Sequence, residues 1–175
     1  MQKNKSLLKI TYTSIFTAII LLSTMLIKFS TGLGEGYIHL GDCFIYLSAC
    51  ILPFPYCLVA SAIGGALADI LGGYAVWAVP TAIIKTLITL PFMLMCRNNK
   101  SPKIMTVKVA LMTIVSGVIS MFGYFVAECV LYSVASATLS IIGNSIQAVA
   151  SGILFIIVAT ALDKMNFKSR VFKGV

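Results

Sequence analysis

The only histidine in the chain, His39, stands three residues before Asp42 in the stretch GYIHLGD, residues 36–42. If that stretch enters a helix, His39, Asp42 and Tyr46 fall on one face, because residues three and four apart are surface neighbours. Asp69 lies one turn before Gly72-Gly73, with Tyr74 following. Trp77, Thr81 and Lys85 recur at i, i+4 and i+8, a stripe along one side of a helix. Tyr124 and Glu128 are four apart, with Tyr132 one turn beyond, and Asn144 and Gln147 are three apart. Aromatic rings with a few convergent polar groups make a small-molecule pocket. In it Tyr74, Trp77, Tyr124 and Tyr132 would stack or edge against a heteroaromatic ring. Asp69, Lys85, Glu128, Asn144 and Gln147 would hydrogen-bond its hydroxyl, amine or ring nitrogen.

Each of these residues also has a structural reading. Tyr37, Trp77 and Tyr132 suit an interfacial aromatic belt. Asp42 after Gly41 suits a helix N-cap. Asn144 and Gln147 suit hydrogen bonding between helices. His39 suits a solvated loop. Lys85 with Asp69 or Glu128 suits a structural ion pair. Confinement of the whole set to one membrane half favours the pocket.

Other chemistries lack their residues. There is no G-x-x-x-x-G-K-[ST] phosphate loop, so ATP hydrolysis is not expected of this chain. There is no HExxH or GxSxG, and one histidine cannot build a multi-histidine metal site. The five cysteines, scattered through apolar segments without a CxxC pair, read as small packing residues. The sequence therefore predicts no enzyme, no metal and no bound cofactor.

The elements that must position these groups are set by composition. Of 175 residues, 59% are hydrophobic and only 10% charged, against about a quarter charged in soluble domains. Too few polar side chains remain to cover a soluble globule, so the chain is read as one all-α integral membrane domain, 1–175. Six transmembrane helices are predicted at about 7–29, 38–52, 55–71, 76–95, 107–131 and 139–162. Pro53-Phe54-Pro55 and Gly72-Gly73 supply breaks, as does the polar loop Arg97–Lys103. Ser133 to Ser140 reads as a further loop. The second and third spans are short, and they either cross a thin region or form a re-entrant hairpin. The first apolar run is too long for a signal peptide and reads as a retained span.

The net charge of +8 is a matter of topology. Eleven of the 13 Lys and Arg cluster on one side: Lys3, Lys5 and Lys9; Arg97, Lys100, Lys103 and Lys108; Lys164, Lys168, Arg170 and Lys173. The positive-inside rule makes that side, with both termini, cytoplasmic. Nucleic acid is not expected as a partner. Glu35, Asp42, Asp69 and Glu128 fall toward the outer ends, so the pocket opens outward. Lys28 and Lys85 are the exceptions. An ionisable group inside lipid costs about 2.5–3.5 kcal/mol and usually marks a cavity or a partner.

Small residues form a second pattern. Ser14-x3-Ala18 and Ala60-x3-Gly64-x3-Ala68 make ridges of the kind that let helices approach closely. They are read either as internal packing or as a docking face for another membrane protein.

The stretch HLGDCFIYLSACILPFPYCLVASAIGGALADILGGYAVWAVPTAIIKTL, residues 39–87, resembles the substrate-binding S components of energy-coupling-factor (ECF) vitamin transporters. The matching pieces are HLGD at 39–42, GGALADILGGY at 64–74 and the W-x-x-P-T-x-x-I-K run ending at Lys85. GYFVAE at 123–128 and GNSIQA at 143–148 are similar to the family's later helices. The resemblance runs over roughly residues 10–160, and it is nearest the hydroxymethylpyrimidine- and pyridoxine-type group. It implies a six-helix bundle in a bacterial cell membrane, binding a vitamin near the outer surface under a lid formed by the first loop. His39 and Asp42 would position that lid. It also implies partners, namely a transmembrane coupling protein and two cytoplasmic ATPases that use the ATP, with the S component toppling to release its ligand inward. Small-x3-small ridges on the first helices are the docking surfaces it implies, although this chain has Ser14-x3-Ala18 where an Ala-x3-Ala is expected. The rival reading is a stand-alone small membrane transporter, and riboflavin is the second choice of ligand.

Overall fold

The computed structural model describes residues 2–30, 37–97 and 103–168. Glu35, Lys100, Arg170 and Lys173, with most of the expected lid loop and of the polar 97–103 loop, lie outside them. The chain runs α1 (Gln2–Leu26), β1 (Lys28–Ser30), β2 (Tyr37–His39), α2 (Gly41–Ile51), α3 (Tyr56–Leu71), a single 3-10 turn (Ala75–Trp77), α4 (Ala78–Arg97), α5 (Val107–Leu131) and α6 (Val134–Lys164). α1, the turn with α4, α5 and α6 are long and apolar enough to cross a membrane; α2 and α3 are shorter apolar helices.

Several boundaries differ from those expected. α1 ends at Leu26, and the chain then forms a small antiparallel hairpin that pairs Lys28 with His39. His39 therefore lies on a strand and not on the face of the second helix. The loop expected over Ser133–Ser140 is only a turn. Tyr132 ends α5, and the Ser133 side chain caps α6 by accepting from the Ser136 N–H at 3.2 Å. Small, weakly polar residues suggest a loop in water, but in lipid backbone groups need internal partners and the helix is favoured.

The breaks have local causes. Leu52 leaves α2 in an extended conformation before Pro53, as a residue preceding proline prefers. Gly73, just past the end of α3, has φ +87°, the left-handed conformation that ends helices most readily with glycine. Pro91 sits inside α4. In the turn before it, the Ile88 carbonyl accepts a hydrogen bond from Ser116 Oγ of α5 at 2.8 Å.

α2 lies at the centre of the bundle, packed by α1, α3, α4 and α6. Its residues are buried with the sole exception of Phe44. Midway along it Tyr46 stacks on Phe92 at 4.4 Å between centroids, and Phe155 meets both edge-on. Tyr46 thus belongs to the aromatic core and not to the polar set above it. Around this centre α3 packs on α1 and α4, and α5 on α4 and α6.

The ridge Ala60, Gly64, Ala68 is buried inside the bundle. A Cβ on Gly64 would stand 2.9 Å from Ile20 Cγ2 and 3.1 Å from the Thr17 carbonyl of α1. These three residues form an internal seam, which corrects their reading as a docking face. Ser14 and Ala18 are exposed on α1.

Candidate functional site

A cavity opens where the hairpin, the α3–α4 turn and one end each of α5 and α6 converge. It is lined by Thr24, His39, Asp69, Tyr74, Trp77, Thr81, Tyr124, Glu128, Ser140, Asn144 and Gln147. Its volume is about 60 Å³, several times the roughly 10–15 Å³ that one water needs. Eight of the ten expected site residues are brought together here: His39, Asp69, Tyr74, Trp77, Tyr124, Glu128, Asn144 and Gln147. Asp42 and Lys85 are not on the wall.

Those two form a buried ion pair beside the cavity. Lys85 Nζ donates to Asp42 Oδ1 at 2.6 Å. The expected partners of Lys85 were Asp69 or Glu128, and both line the cavity instead. Asp42 is not an N-cap either, since Leu40 holds that position without a side-chain cap. Asp42 sits in the first turn of α2, where the helix dipole favours a carboxylate. Its other oxygen, Oδ2, accepts from Gln147 Nε2 at 3.2 Å. Gly65 lets α3 lie against the lysine stem, since a Cβ there would be 2.9 Å from Lys85 Cγ.

The network reaches the hairpin through His39, which is buried and not solvated. Its backbone N–H donates to Gln147 Oε1 at 3.2 Å, and its carbonyl accepts from Ser151 Oγ at 3.4 Å. The imidazole Nδ1 accepts from the Gly41 N–H at 3.1 Å, which assigns the ring hydrogen to Nε2. Lys85 Nζ, 3.5 Å from Nε2, then makes a contact and not a hydrogen bond, since both atoms carry hydrogens. Gln147 bridges helices as expected of glue, and it lines the cavity as well.

The aromatic wall is built from the α3–α4 turn and α5. Trp77 stands 6.0 Å from Tyr124 and 5.8 Å from Tyr132, centroid to centroid. Trp77 is 7% exposed, and its Nε1–H has no partner among the described residues. Tyr124 OH donates to Thr81 Oγ1 at 3.4 Å, and Lys85 Nζ lies 5.1 Å from the Tyr124 ring centroid. At the hairpin, Lys28 Nζ lies 5.7 Å from the Tyr74 ring centroid, within reach of a cation–π contact.

Glu128 is held across the α5–α6 turn. Its Oε1 accepts from Ser136 Oγ and from Ser140 Oγ, each at 2.8 Å. Thr24, Ser136 and Ser140 were not among the expected site residues. Their small hydroxyls look like packing residues, and only Ser136, Ser140, Asn144 and Gln147 at three- and four-residue steps could have pointed to a polar face.

A family model described as ECF-type riboflavin transporter, S component, matches residues 4–164. Among solved structures, the fold is similar to one described as the crystal structure at 2.1 Å of the S component for biotin from an ECF-type ABC transporter. The likeness has TM-score 0.65 and 17% identity, over 94% of this chain and 95% of that one, and at such identity it shows the fold alone. No curated protein matches. The matched family is the riboflavin one and not the hydroxymethylpyrimidine- or pyridoxine-type group that the motifs resemble. Family and structural neighbour alike are transporter subunits and not enzymes. With the match running from the first helix to the last, this chain belongs to the family of ECF-type riboflavin transporter S components, and it is an integral membrane protein.

Proposed function

We propose that this chain is the specificity subunit of an ECF-type importer, capturing a small single-ring vitamin of the pyridoxine or hydroxymethylpyrimidine kind in an outward-facing pocket. The carrying observation is the cavity itself, where aromatic rings from the α3–α4 turn and α5 face polar groups from α1, β2, α3, α4, α5 and α6. The orientation rests on the Lys and Arg clusters, which argue for cytoplasmic termini, while the resemblance supports a bacterial cell membrane and the apolar segments support one domain with six spans.

In this reading Trp77 and Tyr124 contact the ring face, with Tyr74 and Tyr132 toward the mouth. Asp69, Glu128, Asn144 and Gln147 bind its polar substituents, and His39 and Asp42 tie the hairpin to the bundle. Lys85 acts indirectly by neutralising Asp42. The ligand is handed inward by a coupling membrane protein and two cytoplasmic ATPases, and ATP is consumed only there. The exposed Ser14 and Ala18 of α1 remain as docking positions. Riboflavin is the second reading, favoured by the family match.

Purification from cells grown with mixed vitamins, followed by mass spectrometry of what co-purifies, tests this function. A single-ring vitamin at near one per chain is expected. Uptake by the chain alone in vesicles without ATPases would instead indicate a stand-alone transporter.

A further inference from the structure

Independently of the capture reading, we infer that Cys50 and Cys96 form an oxidant-responsive dithiol. A peroxide converts it into a disulfide between α2 and α4, and low-molecular-weight thiols reopen it.

The two helices meet along one line. Asp42, Tyr46 and Cys50 recur at i, i+4 and i+8 on α2, along one side of the helix. Opposite them on α4, Lys85 pairs with Asp42, Phe92 stacks on Tyr46, and Cys96 meets Cys50. Charge pair, ring pair and thiol pair thus follow one another from the cavity end of the bundle to its basic end. Cys96 Sγ donates to Cys50 Sγ at 2.9 Å, less than an ångström beyond the roughly 2.05 Å of a covalent S–S bond. The two upper pairs hold the register, so the sulfurs can close that gap without sliding one helix past the other.

Both thiols stand next to the last residue of their helices, Ile51 of α2 and Arg97 of α4. The pair therefore lies at the polar edge of the bundle. Cys50 is 5% exposed, whereas Cys96 is partly exposed. An oxidant meets Cys96 first, with Cys50 behind it as the resolving thiol, the arrangement of redox-sensing pairs. The other cysteines differ. Cys43 and Cys57 are fully buried, and Cys129 lies near the end of α5, by the cavity. No third His, Cys, Asp or Glu joins the pair among the described residues, so a metal site is not what the thiols build. On the orientation proposed above this end faces the cytoplasm, where thiols rest reduced and a disulfide is transient.

The chemistry balances with one peroxide. The Cys96 thiolate attacks a peroxide oxygen, an S–O bond forms, the O–O bond breaks, and the departing hydroxide takes up the thiol proton as water. The Cys50 thiolate then attacks the Cys96 sulfur. The S–S bond forms, the S–O bond breaks, and hydroxide leaves with the Cys50 proton as a second water. Two thiols are oxidised and one hydrogen peroxide is reduced to two waters. Exchange with two small thiols reverses the bond.

The test is a thiol map of the full-length purified chain in detergent, before and after a modest excess of hydrogen peroxide and again after dithiothreitol. Peroxide should remove two of the five alkylatable thiols, with the Cys50 and Cys96 peptides joined, and dithiothreitol should return both. The melting temperature should rise by about 5–10 °C on oxidation, as closing a loop of this length implies. In Cys50→Ser the resolving thiol is gone, so peroxide should leave on Cys96 a sulfenic acid that dimedone labels. Cys96→Ser should leave Cys50 unlabelled.

Five alkylatable thiols after peroxide overturn the inference. So does a bridge through Cys43, Cys57 or Cys129, or an oxidation that dithiothreitol does not reverse. Dimedone on Cys50 in Cys96→Ser overturns the order of attack. The wild-type map decides the matter even where a variant fails to fold.

Discussion

Lys85 Nζ of α4 lies 2.6 Å from Asp42 Oδ1 of α2, and both side chains are 1% exposed. Removing one partner of a buried pair leaves the other charge without compensation and costs about 3–5 kcal/mol, whereas removing both is often tolerated. Lys85→Met and Asp42→Asn should therefore each lower the melting temperature strongly, and the double variant should recover part of the loss. Melting in detergent checks this. A double variant as unstable as the sum of the singles would show that the two side chains are not coupled.

Trp77→Phe keeps an aromatic face and removes the Nε1–H. Affinity for the transported ring compound should fall about tenfold, the worth of one buried hydrogen bond. Because that N–H has no partner among the described residues, the empty protein should lose little stability. Calorimetric titration with melting controls measures both effects.

Gly41 is set by a close approach. A Cβ there would run into Thr24 Oγ1 and stand 3.2 Å from His39 Nδ1. Gly41→Ala should cost about 1–3 kcal/mol through overpacking and move His39 and the hairpin away from the cavity. Reduced affinity together with a lower melting temperature is expected. Gly41→Ala combined with Thr24→Ala should restore a large part of both.

Ala18 is exposed on α1. Ala18→Leu should leave ligand affinity in detergent unchanged while uptake in cells that also express the coupling protein and ATPases falls severalfold or more. Unchanged uptake would remove α1 from the docking surface.

The sequence revealed which residues matter more readily than which residues meet. Spacing within a helix is local, so Tyr124 and Glu128, or Asn144 and Gln147, could be placed on common faces from three- and four-residue steps alone. The partner of Lys85 could not, because Asp42, Asp69 and Glu128 all lie near the same end of the bundle and only packing decides which is opposite. The same limit hid Asp163 of α6. Next to Lys164 in sequence it has no evident partner, yet its two oxygens accept from the Ile104 and Met105 N–H groups at 2.7 and 2.8 Å. The ridge Ala60, Gly64, Ala68 carried a pattern that internal and external contacts share, and burial assigns it to the former.

The central position of α2 bears on biogenesis. Eleven residues span about 16 Å, half of a ~30 Å hydrocarbon core. Its one acid finds its cation on α4 and its amide donor on α6, both synthesised later. A nascent chain that stops before Arg97 presents Asp42 without the Gln147 contact, and one that stops before Ala75 lacks Lys85 too. The translocon thus meets a segment that it cannot release into lipid by itself. Protease protection of truncated chains should show α2 becoming shielded only once α4 and α6 have been made, so that the innermost helix is among the last to settle.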